Sequence, residues 1–234
     1  MTADESGSAV SRPRLGRPRH TLDGTDAGVA PREQILDAAA ALFVERGFAA
    51  TSTRMIAERV GVRQASLYYH FSGKDELLIE LLSTSVRPSL EAVVAIEALV
   101  PQHATPAAAL HRLASVDVDT LVRTPHNVGT LYLLAEIQHE RFDKFRSQRR
   151  KLQEAYERLG TRAATAGVLS RMAPGQLGEL LIQLTEVVIQ IRRVRDPDES
   201  DAAAIAASCL RLCGLDDDAI DHARVEATAA TSTA

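Results

Sequence analysis

Gly61 stands between two stretches that each read as a short helix, and this arrangement limits the fold of the 234-residue chain more than any other feature. Upstream, Ser52 can cap a helix running to about Val60, because its hydroxyl accepts from a free backbone N–H of the first turn. Ile56 and Val60 lie one turn apart on that helix, with Ala57 beside them, and give it one side to bury. Gly61 stops the helix, since glycine takes the left-handed conformation at little cost. The next helix spans about Gln64 to Phe71, with Leu67 and Phe71 sharing a face. Ala65, Ser66 and Tyr69 fall on the opposite arc, and Tyr68 and His70 flank it. Ser72 with Asp75 three residues later predicts a capping box that opens a third helix. Lys74 would sit in its first turn, where the helix dipole disfavours a cation, so an outside partner such as a phosphate is expected.

Charge points the same way. From residue 46 to 74 there are five basic residues (Arg46, Arg54, Arg59, Arg63, Lys74) against one acid, Glu58, inside a chain of net charge −4. A basic patch confined to one part of an acidic protein fits a phosphate-binding surface. A small polar and aromatic surface on a packed support is what reading DNA requires.

The motif is close enough to name. The tetracycline-repressor (TetR) family carries the pattern T-[TS]-x-x-x-I-A-x-x-x-G-V-x-x-x-x-L-Y-Y-H-F-x-x-K-x-x-L. This sequence resembles it with Thr51, Ser52, Ile56, Ala57, Gly61, Val62, Leu67, Tyr68, Tyr69, His70, Phe71, Lys74 and Leu77 in place. Arg32 to Ala39, Phe43 and Gly47-Phe48 look like the family's first helix and turn. The likeness covers residues 31 to 82; Arg63 and Met55 depart from it, standing where many members have a capping hydroxyl and an acid. The resemblance implies that Thr53 and Arg54 reach DNA, with Arg54 the best candidate for a bidentate guanine contact. It gives Gln64 either an adenine or a phosphate, places Ala65 and Ser66 near bases, and puts Tyr68, Tyr69, His70 and Lys74 mostly on phosphates and sugars, which set register without reading sequence.

Residues 11 to 20, SRPRLGRPRH, hold four arginines and no acid. Arg14, Arg17 and Arg19 around Gly16 and Pro18 could enter a narrow minor groove, or form a disordered basic tail with unspecific phosphate attraction. The reading divides the chain into a disordered basic arm (1–29), a helix-turn-helix domain (30–76), a helical domain (77–214) and a disordered tail (215–234).

Apolar residues at 45% with aromatics at only 4%, and few turn clusters, predict an all-α protein. Beyond residue 82 the spacing predicts a long helix from Gly73 or Lys74 to about Val100, kinked at Pro88. Thr105-Pro106 starts the next, another follows Pro125, and a longer one covers about Glu140 to Val168. Helices from Pro174 to about Arg195 and from Glu199 to Cys213 follow, and Gly214 ends the last.

The helix from Pro174 carries a heptad-like stripe of Leu177, Leu181, Leu184, Val188 and Ile191. Leu180 and Val187 widen one flank, and Ile182 and Ile189 lie round the other. An apolar arc this wide exceeds the roughly 100° that a helix needs against its own core alone. Burial in the centre of one chain and a dimer bundle both account for it, and the TetR resemblance implies the dimer. It also implies an inverted-repeat operator and a C-terminal helical domain that binds a small effector and dimerises. Polar candidates to face that effector are Tyr132, Gln138, Gln183, Glu186 and Gln190; solvent exposure explains them equally well. A hydrophobic or amphipathic effector suits the apolar surroundings.

Competing chemistry is thin. There is no Gly-rich phosphate loop, no G-x-S-x-G and no H-E-x-x-H, so no enzymatic activity and no cofactor are expected. Glu136 and His139 share a helix face, but a carboxylate di-iron site needs a second such pair, so no metal is expected. His103, His111 and His126 read as surface or helix-end groups. Cys209 and Cys213 read as buried reduced thiols. With no signal sequence and no apolar run of about 20 residues, a cytoplasmic protein is expected, as a ligand-responsive repressor or as an activator or effector-independent DNA-binding protein.

Overall fold

The computed structural model describes residues 31–100 and 104–231, which fall in one compact unit. Among the described residues the regular structure is entirely helical. The order is α1 (Pro31–Arg46), α2 (Thr53–Val60), α3 (Gln64–His70), α4 (Lys74–Thr84), α5 (Arg87–Leu99) and α6 (Pro106–Arg123). Three 3-10 turns follow, Pro125–Leu133, Ala135–Gln138 and Glu140–Phe142. Then come α7 (Asp143–Ala163), α8 (Ala166–Leu169), α9 (Pro174–Val194), α10 (Glu199–Leu212) and α11 (Asp217–Thr231). The basic arm with Arg14, Arg17 and Arg19, and also His103, lie outside the described residues.

The head, α1 to α3, closes round Ile35, Phe43, Phe48, Ile56, Leu67 and Phe71, all buried. Phe43 and Phe48 meet edge to face with centroids 5.1 Å apart. Thr51 is buried too: its hydroxyl donates to the Gly47 carbonyl at 2.9 Å and lies 3.2 Å from that of Leu42, holding the turn between α1 and α2. In the body α9 packs along α7 and α6. A Cβ at Gly178 would lie 2.9 Å from the Glu157 backbone, so only glycine permits this approach of α9 to α7.

The helices depart from the sequence reading in four places. The long helix expected from Gly73 to Val100 is two helices, since α4 ends at Thr84 and α5 starts at Arg87 with Pro88 in its first turn. Proline lacks an N–H and clashes with the preceding turn, which suits a helix start better than a kink. After Pro125 the chain forms 3-10 turns in place of an α-helix, because His126 and Asn127 both take φ of 55°. The expected Glu140–Val168 helix runs only from Asp143 to Ala163, and α8 follows as a separate turn.

The tail expected to be disordered from residue 215 forms α11 instead. Its Ile220, Ala223 and Ala227 are buried, and the helix packs against α6. Glu226 accepts from the Thr105 backbone N–H at 2.8 Å and from its hydroxyl at 2.7 Å, which ties α11 to the start of α6. The i, i+3, i+7 spacing of these three residues is helical, but two of them are alanines and give a weak apolar signal.

Candidate nucleic-acid interface

The turn between α2 and α3 forms as its residues dictate. Ser52 is extended and its Oγ accepts from the Met55 N–H at 3.2 Å. Gly61 takes φ 77°, ψ 23°, a conformation that disfavours any side chain. Arg63 stands at the N-cap of α3 with no capping side-chain bond, leaving its long side chain exposed. Leu67 and Phe71 face the core, so Ala65, Ser66 and Tyr69 face outward; Tyr69 is 86% exposed and Tyr68 50%.

Three expected contact residues interlock. Gln64 Nε2 donates to Thr53 Oγ1 at 2.9 Å, and the Thr53 and Tyr68 hydroxyls are 3.1 Å apart. This ties the start of α2 to α3 and fixes one presenting surface. Arg54, exposed, donates from Nε to Glu58 at 2.8 Å, and that bond raises its guanidinium pKa above the usual value. A guanine or phosphate contact by Arg54 therefore exchanges one partner for another. The Tyr69 and His70 rings meet edge to face at 5.1 Å. Arg59 donates to Glu45 from Nη1 and Nη2, at 2.9 and 3.1 Å, and keeps α2 on α1.

Two expectations at the start of α4 change. Ser72 does not pair with Asp75: the Glu76 carboxylate accepts from both the Ser72 backbone N–H at 2.6 Å and its hydroxyl at 2.7 Å. Those bonds hold the Glu76 carboxyl below the ordinary carboxylate range. Asp75 binds Arg141 at 2.6 Å instead, joining α4 to the 3-10 segment. Lys74 needs no phosphate to explain it, because its ammonium donates to the carbonyls of Phe48 (3.0 Å) and Thr51 (3.3 Å) and lies 4.4 Å from the Phe48 ring centre. The α1–α2 turn supplies the outside partner, and Lys74 clamps that turn to α4.

The apolar stripe of α9 divides differently from its sequence pattern. Leu177, Leu181 and Val188 are fully buried within one chain, so three of the five residues expected to meet a partner belong to the core. Leu184 and Ile191 are half-buried, and Leu180, Val187 and Val194 are exposed, Val194 to 87%. Ile182 and Ile189 are buried, on the flank assigned as far round the helix.

The five polar candidates of the body come together on two adjoining clefts. One, of about 800 Å³ between the 3-10 segment and α9, is lined by Tyr132, Gln183, Glu186 and Gln190. The other, of about 840 Å³ toward α7, is lined by Tyr132, Gln138, Gln183 and Glu186. Arg149 donates to Glu186 at 2.6 and 3.0 Å where the clefts meet. Tyr132 bonds the Ser85 hydroxyl at 2.7 Å, and burial pushes its phenol above the usual range.

Sequence reading missed Asp117. It is buried among Ser89, Tyr156 and Thr185, whose hydroxyls donate to it at 2.7, 3.0 and 2.9 Å. Burial raises its pKa against those three bonds. An acid between Val116 and Val118, on the apolar side of a helix whose other acid is Asp119, was the available signal. His111, expected as a surface or helix-end group, is buried within α6 with Nε2 unpaired, and burial lowers its pKa. Among the described residues no group of three or more His, Cys, Asp or Glu side chains could hold a metal ion. Nor is any helix among them long and apolar enough to cross a membrane.

The comparisons with known proteins agree with this geometry. The family model of bacterial regulatory proteins, tetR family, matches residues 35–81. The HTH-type transcriptional repressor KstR2 of Mycobacterium tuberculosis is 49% identical over 51 residues, 22% of this chain and 26% of that protein. The chain thus spans about a quarter of the length of that curated relative. The crystal structure of Mycobacterium smegmatis AmtR is 37% identical with a TM-score of 0.75, over 90% of this chain and 97% of that one. The TetR family transcriptional regulator PfmR of Thermus thermophilus is 25% identical with a TM-score of 0.64, over 78% and 97%. The head carries the family's reading motif and 90% of the chain follows the fold of a relative 37% identical to it, so this protein belongs to the TetR family of bacterial transcriptional regulators.

Proposed function

We propose that the chain acts as a homodimeric repressor that binds an inverted-repeat operator and is released by a small-molecule effector. The observation that carries this reading is the interlock of Thr53, Gln64 and Tyr68, which presents α3 as a rigid face with Ala65, Ser66 and Tyr69 outward. Arg54 and Gln64 read base edges, and Tyr68, Tyr69 and His70 hold the backbone.

The second copy sits on α9. Leu180, Leu184, Val187, Ile191 and Val194 alternate at spacings of four and three, and leave one apolar seam at least partly open. Two heads joined there meet half-sites about one helical turn apart, roughly 34 Å. An effector in the clefts beside α9 changes the spacing of the heads to the extent that it binds one spacing better than the other.

Selection of genomic DNA fragments by the purified chain tests this, run beside Arg54→Ala and Tyr68→Phe. An enriched inverted repeat that both variants lose or bind more weakly is the expected result. Enrichment without a repeat, or unchanged in Arg54→Ala, overturns it.

A further inference from the structure

The cleft between the 3-10 segment and α9 is short of negative charge. Arg192 is half-buried there, and its Nη1 donates to the Leu121 carbonyl at 2.6 Å. Among the described residues no carboxylate lies within ion-pair distance of it. Arg193, on the same cleft, donates to the Gln190 side-chain carbonyl at 3.1 Å and also lacks an acid partner among the described residues. The one acid lining the cleft is Glu186, and Arg149 already holds it. Asp196 acts on Arg192 only from beyond ion-pair distance, so the half-buried guanidinium keeps a desolvation cost that an anion relieves. Burial lowers the Arg192 pKa accordingly.

A second group in this cleft is also unsatisfied. Asn127 donates to the Ile189 carbonyl at 3.0 Å, but its Oδ1 is buried with no partner. Asn127 and His126 hold left-handed backbone, and such strain is kept where the surroundings enforce it and gathers at functional positions. Leu133, 88% exposed, and Val187 give the same cleft an apolar wall.

We infer that this cleft is the effector site and that its ligand is an organic anion, a carboxylate or phosphomonoester on a short apolar body that also carries a hydrogen-bond donor. Arg192 and Arg193 take the anion, Asn127 Oδ1 accepts from the donor, and Leu133 packs on the body. The inference rests on the effector-responsive repressor reading and names the ligand class for it. The cleft can report occupancy, since it also touches Val44 of α1, the 3-10 segment that holds Asp37 through His126, and Val187 of the open seam.

The full-length chain is titrated calorimetrically with 2-hydroxyoctanoate and with its neutral methyl ester, and operator affinity is measured with each. The acid should bind at least about tenfold more tightly than the ester and weaken operator binding. Arg193→Glu, at an exposed position, and Arg192→Gln should each remove the preference for the acid while leaving operator affinity unchanged without ligand. Equal binding of acid and ester, no binding of either, a preference kept in Arg193→Glu, or binding that leaves operator affinity unaltered overturns the inference. Absence of operator binding by the unliganded chain instead overturns the repressor reading, and the calorimetry still decides the cleft.

Discussion

His126 Nε2 lies 2.7 Å from the Asp37 carboxylate, and this contact joins the 3-10 segment of the body to α1 of the head. Arg141 to Asp75, at 2.6 Å, makes a second such link from the same segment to α4. Both pairs are largely exposed, so each adds little to stability, under about 1 kcal/mol. Their value is positional. His126→Ala should leave the melting temperature within a few degrees and the unliganded operator affinity nearly intact, but reduce the effector's influence on that affinity. Parallel melting curves and operator titrations check this; an unchanged effector response would show that the link carries no signal.

Lys74 is a clamp in this structure. Lys74→Ala removes a charged donor from two carbonyls and from the Phe48 ring. The expected loss of stability is about 1.5–3 kcal/mol, the range for a bond to a charged group. Chemical denaturation measures it. A variant as stable as the parent but weaker on every DNA sequence would restore the phosphate role.

Asp117 should leave a mark on the pH dependence of stability. Its folded-state pKa lies above the unfolded value because burial penalises the charge. Its contribution is fully present below the ordinary carboxylate range, near 3.9, and is lost as pH rises through the raised folded value. Asp117→Asn removes that titration while keeping most of the shape, so stability should fall less in the variant than in the parent as pH rises above about 4. Asp117→Ala should cost about 3 kcal/mol at low pH, because three hydroxyls lose that acceptor and a cavity opens, and less as pH rises through the raised folded value. Identical pH profiles for the parent and Asp117→Asn would remove Asp117 as the source.

The two sides of α9 can be separated by substitution. Val187→Glu with Val194→Glu should give a folded monomer with much weaker operator binding, since both positions are exposed in one chain. Leu181→Ala should instead cost about 2–5 kcal/mol of stability, as core truncations do. Sedimentation and melting curves distinguish the two. A dimer that survives the double substitution would place the interface elsewhere.

The head was legible in the sequence because its signals are local. A serine cap, a glycine in left-handed conformation and an i, i+4 apolar pair each act within one or two turns, and together they set which side of α3 faces out. The helix starts at Pro106, Pro174 and Glu199 were legible for the same reason. That Lys74 needs a partner was legible too, from its place in a first turn. Which partner was not, because the carbonyls that satisfy it lie more than twenty residues away.

The sequence by itself determined the helical class, the reading motif and the basic surface on it, since helix caps, turn residues and charge density need no distant contact. Tertiary structure decided the rest. It put Leu177, Leu181 and Val188 into the core and left Val187 and Val194 open, a choice that periodicity alone cannot make between two faces of one apolar helix. It also ordered α11 on α6, unwound the segment after Pro125, and gathered Asp117 with hydroxyls from three other helices. Each of these outcomes depends on which surfaces meet across long sequence separation, where packing and desolvation outweigh local propensity.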